Sequence, residues 1–63
     1  MGDMDQIRIE PKDGKFAVVL KHGGLIQEME LRHQWEEAKQ FAFYLSDRIR
    51  LDVFCKGKKL SRK

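Results

Sequence analysis

Residues 7–20 read IRIEPKDGKFAVVL, and this stretch gives the clearest local signal of structure in the chain. Two β-rich runs flank Asp13-Gly14, a pair that type I′ hairpin turns favour because both central residues take positive φ. A two-residue loop fixes the register, so that Lys12 opposes Lys15. The apolar pairs on one face are then Ile9 with Val18 and Ile7 with Leu20, beside Phe16 and Pro11. The other face carries Arg8, Glu10, Ala17, Val19 and Lys21.

A second turn signal, HGG at 22–24, follows this hairpin, since glycine takes positive φ freely. The next run, LIQEMEL at 25–31, alternates and predicts a third strand. A two-residue turn places one set of its side chains on the core face, namely Leu25, Gln27, Met29 and Leu31. The other set, Ile26, Glu28 and Glu30, faces away. Because Glu and Met are poor strand formers, an early helix is the competing interpretation.

The period becomes helical from about His33 to Ile49. One stripe of this helix is apolar and contains Trp35, Ala38, Phe41, Ala42, Leu45 and Ile49. LDVFC at 51–55 alternates again, which predicts a fourth strand with Val53 and Cys55 on the core side. The expected fold is α+β, in the order β-β-β-α-β, with a small three- to four-stranded sheet and one helix packed on one face. A right-handed crossover makes the last strand parallel to the first, and positions beside the first or the third strand both stay open.

Length and composition set further bounds. The chain has 63 residues, a formal net charge of +3 and a single cysteine, Cys55. A core of this size supplies only roughly 3–5 kcal/mol, and no disulfide can reinforce it, so we expect self-association to add support. A lone cysteine and the lack of a signal-peptide pattern favour the cytoplasm. The longest apolar run, residues 16–20, is too short to cross a bilayer, so no membrane association is expected.

The sequence argues against enzymatic chemistry. His22, His33 and Cys55 have neither the spacing of a metal site nor that of a nucleophile and its base. Glu36 and Glu37 are adjacent on a helix and point about 100° apart, so they cannot act as an acid–base pair. We therefore expect no catalytic residue, no metal, no cofactor and no small-molecule substrate.

Misplaced apolar residues suggest a contact surface instead. Val19, Ile26 and Phe54 point to the sheet face away from the helix, and Phe43 lies far from the centre of the helix stripe. Large apolar side chains on an open face are typical of protein interfaces, whereas scattered single ones are ordinary. The first hypothesis is a non-enzymatic module that homodimerises or docks a protein partner through this face. Scattered exposure is the alternative.

The end of the chain, KGKKLSRK, suggests a second function. It holds five of the 13 basic residues, which leaves 13 − 5 = 8 basic against 10 acidic residues in 1–55. We therefore divide the chain into a domain at 1–55 and a basic tail at 56–63, in which Leu60 can pair with the sheet after a turn at Gly57. Lys56, Lys58, Lys59, Arg62 and Lys63 are the candidates for contacting phosphates of nucleic acid. A solvated end and an acidic protein partner are the alternatives.

The chain also resembles a family of short bacterial domains of unknown function. The matching residues are Gly14-Lys15-Phe16 in the hairpin, Glu37-Ala38 and Ala42 in the helix, and Gly57-Lys58 at the end. Members of that family usually have an aromatic residue such as Trp where Phe16 stands, and a less aromatic helix. The resemblance implies a hairpin, a helix and a final strand, and it implies no activity.

Overall fold

The computed structural model describes residues 5–60 and contains five strands and one helix within them. The elements are β1 (Gln6–Lys12), β2 (Lys15–His22), β3 (Leu25–Arg32), α1 (Trp35–Ile49), β4 (Val53–Cys55) and β5 (Lys58–Lys59). They form one mixed sheet in the order β3-β2-β1-β4-β5, with α1 packed on one face. The α+β class and the β-β-β-α-β order are confirmed. The fifth strand is a correction to the three or four expected, because the chain turns at Lys56 and Gly57 and pairs with β4 again.

The first hairpin has the predicted register, with Lys12 opposite Lys15 and Ile9 opposite Val18. Asp13 and Gly14 have φ of 50° and 77°, as a type I′ turn requires. β4 runs parallel to β1 and lies beside it. That placement settles the position that the sequence left open.

The core lies between the sheet and α1. Its buried side chains are Ile7, Ile9, Val18, Ala38, Ala42 and Val53. Two alanines at the centre of the helix contact face let α1 approach the sheet closely, because they carry no bulk beyond Cβ. At the edge of this core, Phe16 and Trp35 pack edge to face with ring centroids 5.8 Å apart. The hairpin and the start of α1 are thereby held together.

β3 departs from the predicted alternation. Glu28 opposes Val19 and Glu30 opposes Val18, so Met29 is an extra residue that has no cross-strand partner on β2. Such a β-bulge shifts every later side chain by one position. Leu31 therefore opposes Ala17 on the face away from α1, and its predicted place on the core face was wrong.

The chain remains part of the fold beyond Cys55. Lys58 and Lys59 pair with β4, and the Leu60 amide donates a hydrogen bond of 2.7 Å to the Val53 carbonyl. Leu60 also packs against the core. The ordered domain thus extends past the boundary that was placed at residue 55, because β5 covers the outer edge of β4. Within residues 5–60, α1 falls short of the length and apolarity that a membrane-spanning helix needs.

Candidate interaction surface

The sheet face away from α1, called the open face below, is partly covered by its own charged side chains. Lys12 on β1 and Glu28 on β3 come from the strands on either side of β2, and Lys12 Nζ donates a hydrogen bond of 2.7 Å to Glu28 Oε1. These two side chains meet across β2. On β2 itself, the strand that the pair crosses, Ala17 is 2% exposed and Val19 7% exposed. The long methylene stems of such residues commonly shield apolar surface in this way.

The bridge across β2 also has an electrostatic consequence. The hydrogen bond from Lys12 to Glu28, together with the attraction of the carboxylate, raises the pKa of Lys12 above its ordinary value of 10.5. Both side chains remain about half exposed to water. The pair is therefore screened by solvent, and its main effect is to hold a charged cover over the middle of the open face.

The four predicted contact residues differ widely in accessibility. Val19 and Phe54 do lie on the open face, as predicted, but Val19 is buried and Phe54 is half-buried between Arg8 on β1 and Lys59 on β5. Phe43 is half-buried and packs against the core cluster. Ile26 is the exception, since 65% of it is exposed. The structure therefore does not join these four residues into one patch.

The exposed apolar surface is concentrated on β3 instead. Three of the five large hydrophobic residues exposed in the described part of the chain belong to this strand, namely Leu25, Ile26 and Leu31. β3 is eight residues long and is the outermost strand, paired only with β2 among residues 5–60. Its outer side thus presents backbone donors and acceptors next to exposed apolar side chains.

The same strand carries charges that limit what can pair with it. Glu28 is held by Lys12, and Arg32 Nε lies 2.5 Å from Glu30 Oε2 without hydrogen-bond geometry. Charged side chains and bulges are common means by which proteins discourage unspecific pairing at a sheet edge. A strand that pairs with β3 must therefore match both the charges and the bulge at Met29.

The turn that starts β3 is anchored by Asp5. Its Oδ1 accepts a hydrogen bond of 3.0 Å from the Gly23 amide, and its Oδ2 lies 2.8 Å from His22 Nδ1. The Gly23 amide, followed by His22, lowers the pKa of Asp5 below its ordinary value of 3.8. This carboxylate ties the segment before β1 to the β2–β3 turn, beside Leu25 and Ile26. It helps to fix the end of the edge strand.

The predicted phosphate-binding residues lie at the opposite edge of the sheet. Lys56, Lys58 and Lys59 are exposed, and Lys59 Nζ lies 3.6 Å from Asp52 Oδ2. Arg62 and Lys63 lie outside the described residues. The three described lysines thus belong to a short hairpin that is fixed on the sheet.

Within residues 5–60, no three His, Cys, Asp or Glu side chains are grouped as metal ligands would be. His22 is engaged with Asp5 in the turn, and Cys55 is a half-buried free thiol that packs against the core. No family model matches this chain, and comparison with curated proteins and with solved structures finds nothing similar to it. The resemblance to the short bacterial domains therefore stays a prediction.

Sequence reasoning missed two residues of the β3 surface. Leu25 was assigned to the core face, and it does lie opposite His22 on the α1 side, but it is 75% exposed because it lies next to the turn. Leu31 was assigned to the wrong face, because nothing in strict alternation indicates the bulge. The two glutamates around Met29, both unusual in a strand, were the available signal.

Proposed function

We propose that this protein is a non-enzymatic interaction module that binds an extended protein segment along the outer edge of β3. One observation carries the proposal: the outermost strand, eight residues long, also bears Leu25, Ile26 and Leu31. Addition of a strand to an exposed sheet edge is a common mode of recognition, in which backbone hydrogen bonds give affinity and alternate side chains give specificity. The proposal keeps the protein contact expected from the sequence and moves it from the middle of the open face to its edge.

The edge strand β3 is more accessible to a partner than the middle of the open face. Ala17 and Val19, at the middle of the open face, are buried on β2, the strand that the pair of Lys12 and Glu28 crosses. A partner docking there would have to displace that pair. A partner docking on β3 meets Ile26 and Leu31 directly and satisfies the backbone groups of the strand edge at the same time.

The test is selection of displayed random peptides on the immobilised protein, followed by affinity measurements with the selected peptides. Ile26→Lys and Leu31→Lys should each weaken binding at least about tenfold, since each places a charge in the strand-pairing surface. Ile49→Lys is the matched control, because Ile49 on α1 and Leu31 on β3 are each 39% exposed. Peptides that bind all variants equally well would rule out the edge of β3 as the site.

A second candidate function rests on the β4–β5 hairpin, whose Lys56, Lys58 and Lys59 are exposed together. It is binding to the phosphate backbone of nucleic acid, with an affinity that falls steeply with salt. Binding of a labelled DNA duplex and an RNA strand at low salt tests it. Lys56→Gln with Lys58→Gln should weaken binding and reduce its salt dependence, because two of the cationic side chains are removed, and an unchanged affinity would remove this candidate.

A further inference from the structure

We infer that the segment that pairs with β3 is the β3 strand of a second copy of this chain. The two strands run antiparallel about a two-fold axis that passes between Glu28 and Met29. In this register Ile26 opposes the partner's Leu31, Gln27 opposes the partner's Glu30, and Leu25 opposes the partner's Arg32. The inference rests on the proposed use of the β3 edge and names its partner. It joins the two sheets into one continuous sheet.

The bulge is the reason that this register is possible. Opposite residues in an antiparallel pair must lie on the same face, and in a regular strand Ile26 and Leu31 would lie on different faces. Met29 shifts the strand by one position, so that Ile26 opposes Lys21 and Leu31 opposes Ala17, both on the open face. Ile26 of each copy therefore opposes Leu31 of the other copy, which gives one apolar pair on each side of the axis.

The helix side of the strand is compatible with the same register. Leu25, Gln27, Glu30 and Arg32 oppose the β2 residues His22, Leu20, Val18 and Phe16, which lie on the α1 side. Pairing Leu25 with the partner's Arg32 and Gln27 with the partner's Glu30 places no like charges directly opposite each other. The methylene groups of Arg32 in one copy can pack on Leu25 of the other, since long cationic side chains readily bury their methylene groups.

Neighbouring registers are disfavoured by the faces of their side chains. A shift of one position in one direction places Ile26, on the open face, opposite the partner's Glu30, which lies on the α1 side. A shift in the other direction places Ile26 opposite the partner's Arg32, also on the α1 side. Because opposite residues in an antiparallel pair share a face, the register centred between Glu28 and Met29 is favoured over both.

The bulge itself falls at the symmetry axis. Each copy contributes the same two residues, Glu28 and Met29, between its paired segments 25–27 and 30–32. Both strands therefore have equal lengths between the two ladders, and the extra residue creates no mismatch across the axis. A feature that discourages pairing with an ordinary strand is in this way matched by an identical bulge.

Disulfide cross-linking between two different variants tests the register. In a Cys55→Ala background, chains with Ile26→Cys are mixed with chains carrying Leu31→Cys and oxidised under mild conditions. Directly opposite residues are close enough for a disulfide, so the mixture should form several-fold more covalent dimer than either variant alone. Leu25→Cys mixed with Leu31→Cys is the control, because these residues lie on different faces. Equal cross-linking in both mixtures, or none in the first, would overturn the register.

Charge substitutions at Leu25 give an independent readout by sedimentation over a range of concentrations. Opposite the partner's Arg32, Leu25→Lys should weaken association several-fold, whereas Leu25→Glu should preserve or strengthen it. Unfolding followed by circular dichroism verifies that both variants remain folded. If the unmodified chain stays monomeric at every concentration, the second copy is excluded, while the peptide selection above still decides the proposed use of the edge.

Discussion

Ile26 and Leu31 lie on the same face of β3 although an odd number of positions separates them. The cause is Met29, which has no opposite residue on β2. A single extra residue thus places two exposed hydrophobic side chains on the open face at the edge of the sheet, on either side of Glu28. It also sets the only antiparallel register in which a second β3 can match them.

Deletion of Met29 should weaken association of two copies without changing the stability of the fold. The pairs of Glu28 with Val19 and Glu30 with Val18 are consecutive on β2, so removal of the extra residue leaves β3 regular and should preserve the thermal unfolding temperature. The two-fold axis would then pass through Glu28, which would oppose its own copy. We expect association to weaken at least several-fold in sedimentation measurements. Adding Glu28→Gln to the deletion should recover part of it, and a failure to do so would argue against the charge explanation.

The core and the edge should respond differently to truncation of a side chain. Ile9 is 0% exposed, and Ile9→Ala should cost about 2–5 kcal/mol in the free energy of unfolding, close to the whole stability of a domain of this size. Ile26 is 65% exposed, and Ile26→Ala should change the stability of the dilute protein by less than about 0.5 kcal/mol. Urea unfolding at several protein concentrations measures both. For an interface residue, the loss of unfolding free energy should grow with protein concentration. We expect this for Ile26→Ala and not for Ile9→Ala.

We expect Asp5 to make the stability of the protein depend on pH in the acid range. Because its pKa is lower in the folded state than the ordinary 3.8, its contribution to stability is present above that pH and is lost as the pH falls through the lower, folded value. Asp5→Asn should flatten this part of the profile of unfolding free energy against pH. The comparison runs from about pH 6 to about pH 2, the range in which carboxylates titrate. Identical acid profiles for the two proteins would show that the bond to Gly23 contributes nothing.

Truncation of the C-terminus should have its effect at β5. A chain that ends at Leu60 keeps the hydrogen bond to Val53 and the packing of Leu60, so it should keep the contribution of β5 to the unfolding temperature. A chain that ends at Cys55 loses the fifth strand and should unfold at a lower temperature. Leu60→Ala alone, from lost burial, should cost about 1 kcal/mol. Equal unfolding temperatures for both truncations would mean that β5 does not stabilise the sheet.

Local sequence predicted much of the fold. Asp13-Gly14 and the alternation on either side fixed the first hairpin, and the apolar stripe around Ala38 and Ala42 identified the helix and its buried face. These features depend on turn chemistry and on periodicity, which act over a few residues. The sequence also indicated that Ile26 faces away from α1. It did not reveal how far Val19 is buried, because its cross-strand neighbours, Arg8 and Glu28, come from two other strands.

Local sequence therefore determined the hairpin, the helix and the order of the elements. Tertiary structure alone decided that β4 lies beside β1, that the chain returns as β5, and that Met29 is bulged. These outcomes depend on which distant strands meet, and many pairings are compatible with the same local pattern. The bulge has the largest consequence for function, since it moves Leu31 onto the open face. Alternation in the sequence predicts the face of a side chain only where every residue of the strand has a cross-strand partner.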